Sequence, residues 1–341
     1  MKRFFAALAL VASACAQAGP MGFNGSTMAM GDFSPNWREA WVNYAVTPRD
    51  AFGAGGVAMR SDDKSSATQL SRNFSELTYT RLVHRINGEH SQANLWFVSG
   101  VGRVTGNNFV NSKTMLAPGV SADYETTRFY ASATARLYRA PGINHDFVSA
   151  RTGFSFYEVD YDETQPWLVV EARRMRGLSE KTEITPMLRL IHNRYFVEFG
   201  VNNMKQGRFN FMYIFKSGEN IMKTSVKFIT MKSVAACAGI VWATGTFNAV
   251  FAATSVQATV NGMVCAFCAQ GIEKSLMKMP ETKAVFVDLK KKIVAVQAKD
   301  GQTLDGKKIS AEIKDAGYDV VKLETVALSV DDIKAAMKTK K

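Results

Sequence analysis

Two cysteines separated by two residues form the pair in this sequence best suited to bind a ligand. Cys265 and Cys268 lie within residues 262–268, which read GMVCAFC. Cysteine binds metals as the thiolate, and two thiolates at this spacing can clamp a soft ion in near-linear geometry. Such a pair suits one Cu(I) or one Hg(II) ion better than a hard cation. Zinc prefers a tetrahedral set, and this region has no histidine or second cysteine pair to complete one.

The residues around the pair should favour metal capture. Cys268 is predicted to begin a helix, where unpaired backbone amides and the helix dipole stabilise a thiolate at neutral pH. Met263 offers a thioether, but a flexible apolar side chain usually packs inward, so we expect it to fill the core beneath the loop. Phe267 is expected to shield the loop.

The sequence around the cysteines predicts a small α+β domain over residues 254–326. Two amphipathic helical stripes alternate with four β-prone runs in the order βαββαβ, which is the ferredoxin-like arrangement. The first stripe is Ile272, Leu276 and Met279, and the second is Ile309, Ile313 and Ala316. The predicted strands are Ser255 to Val260, Lys283 to Leu289, Lys292 to Ala298 and Asp319 to Val326. Residues 327–341 are interpreted as a lysine-rich tail.

The cysteine loop resembles the GMxCxxC motif of the heavy-metal-associated domain family, which includes copper chaperones and periplasmic mercury-binding proteins. Gly317-Tyr318 also fits, because family members often carry Gly-Tyr after the second helix, with the aromatic ring near the metal loop. Val264 replaces the usual threonine, a change that removes no ligand. The resemblance implies that Cys265 and Cys268 bind Cu(I) or Hg(II) and pass it to a partner protein with exposed thiols.

A redox dithiol is the main alternative for the cysteine pair. Cys-x-x-Cys motifs of thioredoxin-like enzymes act by disulfide exchange, follow a strand in a different element order, and commonly include proline. Here the pair follows Gly-Met and opens a βαββαβ unit. Metal binding without catalysis is therefore the favoured hypothesis.

The region from 17 to 215 shows the period-two alternation of β-strands. Small or apolar residues alternate with polar ones over Arg128 to Arg139 and over Val148 to Tyr157. Further predicted strands are Glu76 to Arg85, Ala93 to Val101, Trp167 to Arg174, Glu183 to Ile191 and Tyr195 to Val201. We predict about eight to ten strands closed into a barrel, since closure removes unpaired edges.

Arginine on the polar faces favours an outer-membrane barrel, which keeps its polar face inside, over a soluble one. Residues 209–215 read FNFMYIF and resemble the terminal strand of bacterial outer-membrane proteins. In that family the strand normally ends the protein, whereas more than a hundred residues follow Phe215. A soluble β-sandwich or barrel remains the alternative.

Composition indicates that two different sequences are joined. All eighteen arginines lie at or before Arg208, whereas nineteen of the twenty-four lysines lie at or after Lys216. Residues 1–16 have the layout of a secretory signal peptide, although Cys15 also permits a lipoprotein interpretation. Residues 216–253 contain lysines, an uncharged run and a small-residue end, which is typical of a second signal peptide or a transmembrane tether. Fusion of adjacent reading frames would explain this order.

Other features give no second function. The net charge of +12 is not gathered into one patch, so no nucleic-acid partner is expected. The glycine-rich residues 53–56 lack the lysine of a phosphate-binding loop and are interpreted as strand or turn. The histidines form no ligand pair by spacing: His84, His90, His145 and His192. The sequence predicts a non-enzymatic metal binder of the periplasm or outer membrane, with a barrel of structural or transport function, joined to the metal domain by fusion, as the alternative.

Overall fold

The computed structural model describes residues 19–63, 68–160, 163–215 and 254–339. Long antiparallel strands make up the N-terminal region. They are β1 (Thr27–Phe33), β2 (Trp37–Ala45), β3 (Asp50–Arg60), β4 (Ser71–Asn87), β5 (Ser91–Gly106), β6 (Lys113–Leu116), β7 (Gly119–Thr126), β8 (Phe129–Arg136), β9 (Arg139–Ala140), β10 (Ile143–Asn144), β11 (Phe147–Ser155), β12 (Gln165–Met175), β13 (Glu183–His192), β14 (Tyr195–Val201) and β15 (Gly207–Phe215).

Twelve of these strands close into a barrel. The ring runs β5-β4-β3-β2-β1-β15-β14-β13-β12-β11-β8-β7, and β7 pairs with β5 to close it. Thr27 of β1 pairs with Phe215 of β15, so the first and last strands meet. The prediction of a barrel is confirmed, but eight to ten strands was too few. Strands such as β3 are rich in glycine and alternate too weakly to be recognised from their pattern.

The barrel turns its apolar side chains outward and its polar ones inward. Leu77 and Phe129 on the outer face are 67% and 59% exposed. Charged side chains that point inward form a connected set of buried ion pairs. They include Arg136–Glu76 at 2.6 Å, Arg173–Glu183 at 2.8 Å, Arg189–Glu198 at 2.7 Å and Arg208–Asp32 at 2.6 Å. The polar face predicted from the sequence is therefore the lumen.

The two ends of the barrel differ. The terminal end carries both ends of the barrel chain, Thr27 and Phe215, and the turns at 46–49, 88–90, 127–128 and 193–194. The distal end carries the short strands β6, β9 and β10. Inside the distal end lies an apolar cluster of Trp37, Val57, Met59, Phe74, Val104, Met115, Ala117, Tyr138, Ile143, Met175 and Leu178. This packed cluster obstructs the lumen there.

The C-terminal region is a separate four-stranded domain. Its elements are β16 (Ser255–Asn261), α1 (Ala266–Leu276), β17 (Thr282–Asp288), β18 (Ile293–Ala298), α2 (Gly306–Asp315) and β19 (Asp319–Val326). The sheet order β17-β18-β16-β19 is antiparallel throughout. Ile272, Leu276, Ile309 and Ile313 from the two helices are fully buried in one core. The predicted ferredoxin-like fold is confirmed.

A third helix follows the predicted domain. Residues 327–341 were interpreted from the sequence as a lysine-rich tail, but α3 (Val330–Thr339) lies there. Val330 and Ile333 are buried against Ala295, which explains why the helix docks on the sheet. Its two apolar contacts are too few to stand out among lysines and acidic residues.

Two expectations fall on residues outside this description. The signal peptide at 1–16 and the linker at 216–253, with its internal signal or membrane tether, both lie there. Within the described ranges, no helix has the length and apolar character needed to cross a membrane.

Candidate metal centre

The cysteine loop connects β16 to α1. Gly262 has φ of 82°, a left-handed conformation that glycine adopts at low cost, and it turns the chain out of the strand. Cys265 is the N-cap of α1, and its Sγ accepts a hydrogen bond from the backbone N–H of Cys268 at 3.3 Å. The helix therefore begins at Ala266, before the predicted start at Cys268. Cys268 lies in the first turn, where the helix dipole still favours an anion.

Met263 and Lys292 support the loop from beneath. Met263 is fully buried in the core of the domain, which confirms that its side chain fills space. Lys292 donates from its Nζ to the carbonyl oxygen of Met263 at 2.9 Å. This contact fixes the backbone just before the cysteines.

The two cysteines differ in acidity. A hydrogen bond from the Cys265 thiol lowers the pKa of Cys268 to about 6, against the opposing effect of burial. The Tyr318 hydroxyl and the charge of Arg85 lower it further. The same hydrogen bond to Cys268, together with burial, raises the pKa of Cys265 well above its usual value. The apo pair therefore holds one thiolate at neutral pH, and a metal must displace one proton.

The metal loop lies against the terminal end of the barrel. Phe267 is 8% exposed and packs in a cluster with barrel residues Met28, Phe196, Met212 and Ile214. The sequence predicted that Phe267 shields the loop, and the barrel is what it packs against. Cys265 is partly buried at the edge of the same cluster.

Hydrogen bonds also join the two domains around the loop. Gln92 of β5 donates to the carbonyl oxygen of Gly262 at 2.9 Å, and the Gly262 N–H donates to the carbonyl of Gly88 at 3.0 Å. Asn87 donates to the carbonyl of Gly317 at 3.1 Å. Arg85 lies over the Tyr318 ring, 5.6 Å from its centroid. The barrel thus contacts both conserved-type features of the domain, the cysteine loop and the Gly-Tyr turn.

One barrel carboxylate joins the cysteines. A carboxylate oxygen of Glu125 and the Sγ atoms of Cys265 and Cys268 all lie within 4.8 Å of one another. Glu125 was missed by sequence reasoning, because it lies far from the cysteines along the chain and no motif surrounds it. None of the histidines belongs to this group among the described residues; His145, for example, is hydrogen-bonded to the carbonyl of Arg176 at 3.0 Å.

The geometry of the C-terminal domain agrees with its sequence relationship. Residues 258–319 match the family model of the heavy-metal-associated domain. The match includes the cysteine loop and Gly317-Tyr318, and it spans less than a fifth of the chain. A heavy-metal-associated domain therefore follows the barrel, and the cysteine pair lies at the position expected for binding a heavy metal.

Comparisons that extend beyond this domain are weaker. No curated protein matches the chain. Two solved structures are similar to it: the KdgM porin in complex with disordered oligogalacturonate, with a TM-score of 0.35, and the KdgM porin, with a TM-score of 0.33. Each is 11% identical and covers 56% of this chain and 98% of its own.

Proposed function

We propose that the heavy-metal-associated domain binds one Cu(I) or Hg(II) ion through Cys265 and Cys268, and that it sequesters or hands over this ion in the cell envelope. The carrying observation is the pair itself: one thiolate, one thiol, and a helix N-terminus at a single loop. Soft ions prefer this donor set to carboxylates and amides.

Transfer to a partner would use the same atoms. A partner thiolate can attack the bound ion to give a three-coordinate intermediate, after which one of the original cysteines leaves. Cys265 is the more exposed of the two and is the residue such a partner would reach first. The expected partner is a protein with exposed thiols, and no covalent catalysis is involved.

The barrel is proposed to lie in an outer membrane. Its exposed apolar outer face and charged lumen match the pattern of membrane barrels. Such barrels have short turns on the periplasmic side, where their chain ends also lie, so the terminal end would face the periplasm. The metal domain would then be periplasmic.

Metal titration of the full chain in detergent tests the first part. We expect one equivalent of Cu(I) or Hg(II) to bind at high affinity, and Cys265→Ser with Cys268→Ser to lose it. Equal affinity in the doubly substituted chain would reject the site.

A second function is supported by the barrel interior. In it the barrel is the primary structural or transport unit, and the metal domain was joined by gene fusion. The ion pairs and the distal apolar cluster fill much of the lumen, which favours a structural role over an open pore. Residues 17–215 should then insert into detergent as a heat-modifiable barrel. A monodisperse protein without detergent would favour the soluble alternative instead.

A further inference from the structure

Glu125 is held in place by the same strand pairing that holds the metal loop. It lies on β7, is 5% exposed, and pairs in register with Gln92 of β5. Gln92 is the residue that donates to the carbonyl of Gly262. The carboxylate and the cysteine loop are therefore positioned by adjacent barrel residues. A carboxylate buried at this depth is costly unless a positive charge approaches it.

The spacing of the three ligand atoms fits one ion. Two thiolates that clamp an ion in line at about 2.3 Å each lie about 4.6 Å apart, and three ligands in a plane lie about 4 Å apart. All three atoms here lie within 4.8 Å of one another. A contraction smaller than the radius of an atom would bring the carboxylate of Glu125 into the coordination sphere.

Charge decides which ion benefits. Two thiolates and the Glu125 carboxylate carry three negative charges, and Arg85 is the cation that acts on Cys268. A divalent ion with Arg85 brings the sum to zero, whereas Cu(I) leaves one negative charge buried. Asp123 adds a further negative charge nearby, although it accepts hydrogen bonds from Asn94 at 2.7 Å and from Trp96. The docked site therefore favours the higher charge.

An opening reaches this position. A cavity of about 700 Å³ lies between the domains, and its lining includes Glu125, Cys265, Cys268 and Arg85. Lys274, Lys278 and Glu281 also line it. A hydrated ion can enter from this side without separation of the domains.

We infer that docking on the barrel converts the two-thiolate pair into a three-ligand site, in which Glu125 binds a divalent thiophilic ion beside Cys265 and Cys268. This inference rests on the proposed function of the cysteine pair and names the ion class for the docked state. Carboxylate is a harder ligand than thiolate, so it contributes more to borderline divalent ions than to Cu(I).

The test uses the full chain in detergent with Cd(II) as the divalent probe and Cu(I) as the monovalent one. Glu125→Gln should weaken Cd(II) at least about tenfold, which is the lower range for loss of even an outer partner of a metal ligand. X-ray absorption should show one fewer oxygen neighbour of cadmium. Cu(I) affinity should stay unchanged.

Two further variants serve as controls. Glu89→Gln makes the same charge change on an exposed side chain of the β4–β5 turn and should bind Cd(II) like wild type. Glu125→Asp keeps the charge and should weaken Cd(II) less than Glu125→Gln. Heat-modifiable migration on a gel checks that each variant folds.

The inference is overturned if Glu125→Gln leaves Cd(II) affinity and coordination unchanged, or if Cd(II) and Cu(I) weaken equally. It is also overturned if Glu89→Gln has the same effect. Failure of the proposed function looks different: the wild-type chain and the double serine variant would then bind both ions equally poorly.

Discussion

Gln92, inside the mouth of the barrel, donates its side-chain amide to the carbonyl oxygen of Gly262, in the metal loop, at 2.9 Å. Both groups are buried, so breaking this bond leaves a buried donor and a buried acceptor unpaired. The contact ties the position of the metal loop to the barrel. It explains how residues from two differently composed regions share one site.

The first prediction concerns this docking. If a protease site is inserted within residues 216–253 and cut, the metal domain should still co-elute with the barrel in detergent. Gln92→Ala with Asn87→Ala should release it, because two hydrogen bonds to the loops at Gly262 and Gly317 are lost. Glu89→Gln is the matched control. Separate elution of the wild-type fragments would show that the domains do not associate.

The second prediction separates packing from ligation at Met263. Met263→Leu nearly conserves volume in the core and should cost less than about 1.5 kcal/mol of domain stability. It should keep one equivalent of Cu(I), because the thioether is buried in the core and is not a ligand. A loss of binding in a folded variant, measured by competition with a chelator, would instead make Met263 a ligand.

The third prediction concerns thiol ionisation. The Tyr318 hydroxyl stabilises the thiolate of Cys268 and so lowers its pKa. Tyr318→Phe removes this hydrogen bond, and the first thiol pKa should rise above the value of about 6 in the wild type. Thiolate absorbance in the ultraviolet follows the titration, with the double serine variant as the blank. An unchanged or lower first pKa would contradict the assigned contact.

The fourth prediction concerns the lumen. Glu198 accepts from Arg189 at 2.7 Å and from Asn210 at 2.7 Å, and it also pairs with Arg151. Glu198→Gln leaves two buried arginines with less negative charge, at a cost of about 3–5 kcal/mol. The barrel should convert to its unfolded gel mobility at a lower temperature. Glu89→Gln, an exposed change of the same type, should not shift this temperature, and equal behaviour of both variants would refute a structural role for the ion pairs.

The fifth prediction concerns residues 222–252. Lysines, an uncharged core and a small-residue end should make this segment an export signal. Fused to a periplasmic reporter, it should direct secretion, and cleavage after Ala252 should follow. A reporter that is exported but remains uncleaved in the membrane would favour the tether interpretation.

Local sequence was sufficient for the metal domain. The spacing of Cys265 and Cys268, the helical stripes and Gly317-Tyr318 all lie within a short stretch of chain, and each pattern has a direct local cause. Ligand type followed from the chemistry of sulfur. The barrel was predicted from alternation over single strands, which is also a local property. Its strand number was not, since glycine-rich β3 carries little alternation.

Tertiary structure decided what is near the cysteines. Glu125 and Arg85 reach the metal loop because β4, β5 and β7 end together at one mouth of a closed barrel. Closure depends on pairing between strands distant in the chain, and period-two alternation does not specify which strands pair. The cysteines alone therefore determine that a soft metal binds, whereas the fold determines that a carboxylate and a guanidinium lie beside it.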